Sequence, residues 1–400
     1  MDDLRNKIQE RNKQIEDLQK DIVNYQQQVE TTGKEAKTLT GAVQKLELTE
    51  KKLTTDIKVT ENKIVATALT IEKLGLEIGD KEKTIARREE VLRQSLRTLQ
   101  RMQQDSELEN LFLYNDLGEM WETISSTAQF QDQVRVDMDE LRTLRTELTT
   151  NKQAKEGQKR NLQAQRGELS DKKKITELTK AEKAELLKET KNRETLYKKT
   201  LAEKTTLRDA VAKELLQFES ELRLQIDPKS VPQAGTTILA WPLGAPFLTQ
   251  QFGHTDFSRA NARLYNGNGH NGVDFRASIG TPLLASASGK IVAVGDTDTV
   301  CPGASYGKWV MVEHPFGLST LYAHLSLIKV SNGQQVVVGD LLGYSGDTGY
   351  ATGPHLHFTV YATQGVQVVN RKSLVCKGTY VMPVADLRAY LDPMQYLPKL

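Results

Sequence analysis

Six histidines occur in the chain, His254, His270, His314, His324, His355 and His357, and none precedes residue 254. The last two close the stretch Gly353-Pro354-His355-Leu356-His357-Phe358-Thr359-Val360-Tyr361, whose turn signal and alternation of strand formers predict a β-strand. Strand side chains two apart share a face, so His355 and His357 point the same way, about 7 Å apart. Such a pair can hold a metal with both rings, or hold it with one while the other handles protons. His270 opens the segment His270-Asn271-Gly272-Val273-Asp274, which sets a carboxylate four positions after an imidazole. Both donors suit Zn²⁺, and a catalytic zinc takes three protein ligands with an open position for water. His270, Asp274 and one histidine of the strand pair make such a set. The plain alternatives are a turn closed by Asp274 and core histidines. His314, ahead of Pro315 at a strand end, reads as structural, and His254, beside Gln251-Phe252-Gly253, is a weaker candidate for substrate contact. Gly343-Tyr344-Ser345-Gly346 lacks the Gly-x-Ser-x-Gly elbow, so no serine nucleophile is expected there.

The elements around these residues speak two languages. From Ile238 onward, short strands alternate with Gly, Asp and Asn turns, and candidates run over 282–287, 290–295, 308–313, 318–324, 334–338 and 355–361. That pattern predicts an antiparallel β domain over 239–400. No proline occurs before Pro228. Apolar residues recur at 3-4 spacing from Leu4 to Leu92 with no change of phase, which predicts a coiled coil over 1–104. Phase fails near Asp105, and Leu108, Phe112, Tyr114, Met120, Trp121 and Ile124 crowd into a predicted cap over 105–127. Heptads return over 128–226, with a polar, irregular stretch from Asn151 to Lys183 that is expected to be weak or broken. Two arms of about 100 residues around a cap predict an antiparallel hairpin about 150 Å long, with a parallel dimer as the alternative. A Pro- and Gly-containing linker spans 227–238. Net charge is only +2, which argues against nucleic-acid binding. No run is apolar enough for a membrane span, and Met1-Asp2-Asp3-Leu4 begins no signal peptide.

Taken in order, His270 to Asp274, Leu321-Tyr322-Ala323-His324-Leu325 and Gly353 to Phe358 closely resemble the motifs of LytM/lysostaphin-type zinc peptidases, which cut peptidoglycan cross-links. Trp241-Pro242-Leu243, Gln251-Phe252-Gly253 and Gly339-Asp340 agree, and the resemblance covers about residues 239–400. It implies a two-sheet groove with Zn²⁺ on its floor, His270, Asp274 and His357 as ligands, and His324 and His355 as the catalytic pair. Strand alternation puts Tyr322 on the face of His324, as a candidate for transition-state or substrate contact. The implied substrates are peptidoglycan stem peptides or cross-bridges, D-Ala and glycine links not being distinguished.

The helical part resembles the coiled coil of EnvC-type cell-separation proteins. That likeness implies a membrane divisome partner of the FtsEX-like kind at the tip. It also keeps open a non-catalytic alternative, an EnvC-like activator of cell-wall amidases. EnvC-type proteins have lost metal ligands, whereas all five site positions are filled here, which favours the enzyme. A cell-wall substrate implies an extracytoplasmic place, periplasmic or cell-surface, with an export signal already removed. Cys301 and Cys376 are then expected to form a disulfide rather than two buried thiols. Finally, the helical region is expected to occlude the active site until a partner engages the cap, with the polar stretch as the place where the return arm could bend or lie across the groove. The alternative is an arm that only spaces the enzyme from the membrane.

Overall fold

The structure, a computed structural model, describes residues 2–34, 38–104, 117–222, 224–255, 269–303, 305–351, 353–373, 375–376 and 378–399. Among the described residues four helices come first: α1 (Asp2–Lys34), α2 (Leu39–Gln104), α3 (Leu117–Thr190) and α4 (Glu194–Glu221). Twelve strands follow: β1 (Leu248–Gln250), β2 (Val273–Arg276), β3 (Pro282–Leu284), β4 (Gly289–Asp296), β5 (Lys308–Glu313), β6 (Leu318–Ile328), β7 (Gln335–Val336), β8 (Leu341–Ser345), β9 (His355–Ala362), β10 (Val366–Lys372), β11 (Thr379–Ala385) and β12 (Tyr390–Leu391). The chain divides into two compact units, Met1–Leu18 with Lys58–Leu169, and Gln19–Ile57 with Ser170–Leu400.

In the first unit α2 and α3 run antiparallel. Glu82 pairs with Lys152 at 2.8 Å and Glu89 with Arg145 at 2.7 Å, so partner numbers fall as α2 advances. These exposed pairs add little stability. The helices are held by a buried apolar seam that includes Ile78, Ile85, Val134 and Leu141. The expected hairpin is therefore present, with two corrections. The coil is not one helix from Leu4 to Leu92, because α1 ends at Lys34 and a new helix starts at Leu39, with the Thr38 hydroxyl accepting from Gly41 N at 3.1 Å as its cap. Arg11 of α1 reaches back to Asn62 of α2 at 3.1 Å. A heptad pattern records which residues are apolar and is blind to a reversal that keeps phase. The arm is accordingly shorter than 150 Å, since α2 has 66 residues and a contour of about 100 Å. The second correction concerns Asn151 to Lys183, which is unbroken helix because its Lys, Glu, Gln and Ala are good helix formers even without an apolar stripe. The break comes later, at Lys191 and Asn192, whose φ values are 47° and 55°. Most of the expected cap lies outside the described residues. Of its members, Trp121 and Ile124 are exposed on α3.

The second unit is built on an antiparallel sheet in the order β1-β2-β9-β6-β5-β4-β7, with β3, β8 and β12 attached and β10–β11 as a separate hairpin. One face carries Val273, Phe275, Tyr322, Leu356, Phe358 and Val360 in an apolar core. The opposite face carries Trp309, Leu321, Ala323 and Tyr361 in a second core, together with Met382 and Val384. Helix α4, expected to be the end of the coiled-coil arm, packs into that second core through Val211, which is 1% exposed. Two more helical segments of this unit dock elsewhere on the β fold. Leu53 of α2 and Ile175 of α3 bury against Ile279 and Tyr344. Around them Lys52 donates to Ile279 O at 3.0 Å, Tyr344 donates to Asp171 at 3.1 Å, Lys329 pairs with Asp171 at 2.7 Å, and Lys45 pairs with Asp347. Cys301 and Cys376 are joined in a disulfide. Among the described residues, no helix is long and apolar enough to cross a membrane.

Candidate active site

Three strands bring the site together. β2 and β9 pair so that Asp274 lies opposite His357, and β6 pairs with β9 so that Ala323 lies opposite His357. His270 is held just before β2 by a bridge to Gly253, each residue's N–H donating to the other's carbonyl at 2.8 Å. One ligand-capable atom from each of His270, Asp274 and His357 falls within 4.8 Å of the others. His357 Nδ1 is 2.9 Å from Asp274 Oδ1 and 3.1 Å from His270 Nε2. Gly272 makes this closeness feasible, since a Cβ there would sit 2.8 Å from His357 Cε1 and 2.6 Å from Phe358 O.

The second nitrogen of each ring is engaged by the protein. His270 Nδ1 donates to Gln251 O at 2.9 Å, and His357 Nε2 meets the Thr359 hydroxyl at 3.0 Å. Carbonyl and hydroxyl partners of this kind fix tautomer and ring orientation at metal sites. The residues therefore fit a zinc ion: two imidazole nitrogens and a carboxylate oxygen converge, with their outer atoms already bonded. His355 Nδ1 donates to Gly353 O at 2.7 Å, and His324 Nδ1 donates to Thr348 O at 2.7 Å. Their Nε2 atoms keep lone pairs for the site, and that of His355 lies 3.7 Å from Asp274. The His324 and His355 rings are 4.7 Å apart.

Burial pushes the Asp274 carboxyl upward, but hydrogen bonds from His270 and His357 outweigh it and hold the group well below the usual carboxylate range. Burial is the first cause that lowers His324, well below the usual histidine value, with His355 and His357 adding repulsion. Burial also lowers His357, against the pull of Asp274. Burial thus favours the neutral form of His324 and His357 beside a carboxylate, which suits these two rings to accept metal or protons.

His270, Asp274, His324, His355 and His357 meet, the first four-residue pair and the strand pair as their spacing suggested and His324 as the resemblance implied, and Tyr322 does not join them. It is fully buried in the other core, its hydroxyl accepting from Ser286 N at 2.8 Å. The cause is a register shift between β5 and β6, where Lys308 lies opposite Leu325 but Val310 lies opposite Tyr322. Within that bulge His324 takes φ 62°, left-handed and rare for a non-glycine residue, and its side chain departs from the face of Tyr322. His314 is a core residue, bonded to Ser288 O and the Thr320 hydroxyl. The tyrosine that does reach the cluster is Tyr306, whose ring stacks on His357 at 6.1 Å and 28° and whose carbonyl accepts from His324 N at 2.9 Å. Its one sequence signal is its place in a Gly-flanked turn just before β5.

With this geometry in view, residues 268–370 match Peptidase family M23, and the chain carries an M23 peptidase domain there. The DD-carboxypeptidase/endopeptidase Mpg of Neisseria meningitidis serogroup B is 38% identical over 117 residues, 29% of this chain and 25% of Mpg. Peptidoglycan DD-endopeptidase ShyA of Vibrio cholerae is 44% identical over 89 residues, 22% of this chain and 19% of ShyA. Glycyl-glycine endopeptidase ALE-1 of Staphylococcus capitis is 44% identical over 93 residues, 23% of this chain and 25% of ALE-1. The chain thus spans a quarter or less of the length of these relatives. Among solved structures, the catalytic domain of lysostaphin from Staphylococcus simulans is 30% identical, covering 37% of this chain and 90% of that one with a TM-score of 0.26.

Proposed function

We propose that this chain is a zinc metallo-endopeptidase that hydrolyses peptide cross-links of peptidoglycan outside the cytoplasm. The observation that carries the reading is the convergence of His270 Nε2, Asp274 Oδ1 and His357 Nδ1 beside two further imidazoles. The relatives' names, which include DD-endopeptidase and glycyl-glycine endopeptidase, support the substrate class. Zinc bound by the three residues would supply Lewis acidity and lower the pKa of a water molecule. His355 Nε2, aimed at the cluster, accepts the proton of the attacking water and passes it to the leaving amine. His324, whose ring lies against that of His355 and whose Nδ1–H is held by Thr348 O, offers its Nε2 as a second acceptor in that proton transfer.

The helical segments add a regulatory element to the proposal. Asp347, gripped by Lys45, adjoins Thr348, whose carbonyl orients His324. The docked segments of α2 and α3 restrain this turn, and a membrane divisome partner that engages the helical region releases it. The test of the chemistry is metal analysis of the purified intact chain together with digestion of defined muropeptides. About one zinc per chain is expected, lost with activity in His357→Ala. His355→Ala and His324→Ala should keep the zinc and lose turnover by about 10²- to 10⁴-fold. A zinc-free chain that cuts nothing but stimulates an amidase would replace this reading with the activator.

A further inference from the structure

A buried carboxyl that the chemistry above does not use lies on the far side of the sheet's second core. Glu219 of α4 is 4% exposed, and its Oε1 accepts from the Tyr390 hydroxyl at 2.7 Å and from Ala385 N at 3.2 Å. An acid so enclosed costs desolvation free energy, and a leucine in its place would not. The hydroxyl chain that starts there leads back to the site. Tyr390 packs its ring on Tyr361 at 5.0 Å, and the Tyr361 and Tyr306 hydroxyls are 3.2 Å apart. Tyr306 itself holds His357 by stacking and His324 by its carbonyl.

We propose that Glu219 is a positioning residue of the hydrolytic site, fixing His357 and His324 through Tyr390, Tyr361 and Tyr306. With Glu219 accepting from Tyr390, the Tyr390 ring is fixed against that of Tyr361, and the bond between the Tyr361 and Tyr306 hydroxyls carries this placement to the ring stacked on His357. Buried polar groups that satisfy one another in this way rigidify the core around them. Burial also raises the Glu219 carboxyl to about 7, against its bonds from Tyr390 and Ala385. The neutral acid keeps Oε1 as an acceptor, so the positioning holds in either charge state. Arg371 is the cation acting on Glu219, and Tyr306, Tyr361 and Tyr390 are the other titratable groups coupled to it.

The kinetic consequence rests on the peptidase reading, and the structural one does not. The test uses the intact chain carrying Glu219→Leu, Glu219→Gln or Tyr390→Phe, with muropeptide kinetics and ¹⁵N NMR of the histidine rings. Glu219→Leu should lower kcat by about 10- to 10²-fold at unchanged KM, the cost of a small misplacement of reacting groups. It should also shift the His357 and His324 ring signals. Glu219→Gln, which keeps the accepting oxygen, should restore both readouts towards the parent protein. Tyr390→Phe removes one hydroxyl and should fall between them, and it decides the matter if the leucine variant does not fold. Ring signals and kcat unchanged in a folded Glu219→Leu or Tyr390→Phe protein overturn the positioning role and leave the peptidase reading standing. A parent chain that cuts no muropeptide, with ring signals that move in Leu but not Gln, overturns the peptidase reading and leaves the positioning role standing.

Discussion

An imidazole has two nitrogens, and at this site each ring gives one of them to the protein. That division leaves the second nitrogen of His270 and His357 to the proposed metal position and that of His324 and His355 to the proposed proton transfers. Thr359→Val, nearly isosteric, removes the partner of His357 Nε2 and should weaken zinc binding by about 10- to 100-fold, measured by competition with a chelating dye. A second residue-scale prediction concerns Glu219. Its folded pKa is raised, so its contribution to stability is fully present below the ordinary carboxylate range and is lost as pH climbs towards about 7. Glu219→Gln, neutral at every pH, should therefore gain melting temperature relative to the parent on going from pH 5 to pH 8. A constant difference across that range would show that Glu219 titrates normally. Donor type and spacing advertised His270, Asp274 and the His355/His357 pair, whereas His324 and the choice between the paired histidines came from the resemblance to LytM/lysostaphin-type peptidases. Tyr306 was not legible, since its contribution comes through a stacked ring and a main-chain carbonyl, and neither leaves a pattern. Tyr322 misled because alternation assumes an unbroken ladder, and the bulge at His324 breaks it.

Strands with clear alternation and turn signals, such as β4, β5, β6 and β9, could be read directly. Strands β1, β2 and β8 could not, because they are short or wholly apolar on one side and only tertiary pairing defines them. For the helices, periodicity reported the α2–α3 seam correctly but not where the chain turns back or which surface each stripe meets. The apolar stripe of α4 looks like coiled coil and in fact covers a β core through Val211. Leu53 and Ile175 have the same ambiguity, resolved by Ile279 and Tyr344. Both are almost fully buried, so Leu53→Ala and Ile175→Ala should each destabilise their unit by about 2–5 kcal/mol in denaturant unfolding. Lys45→Glu tests whether this docking restrains catalysis. Faster muropeptide cleavage is expected in the variant, returned to the parent rate by adding Asp347→Lys. A rate unchanged or reduced in both would make the docked helices a scaffold.

The disulfide closes a loop across 75 residues of the β fold, so reducing it should lower the melting temperature by the equivalent of about 4 kcal/mol in the chain-entropy model. Equal melting with and without reductant would mean that the loop is already held without it. The same bridge, together with α4, has a consequence for modularity. The family match runs from 268 to 370, yet Cys376, Tyr390 and Ala385 lie beyond its end, and Glu219 and Val211 lie before its start. A graft of residues 268–370 into a foreign host protein would carry every candidate ligand and both candidate proton carriers. It would also arrive with an orphaned thiol at Cys301, an uncovered apolar flank and a hydroxyl chain with no acceptor at its end. The portable unit of this chain is defined by its second core and begins with α4, so recombination that respected only the catalytic motifs would be counter-selected at the level of folding.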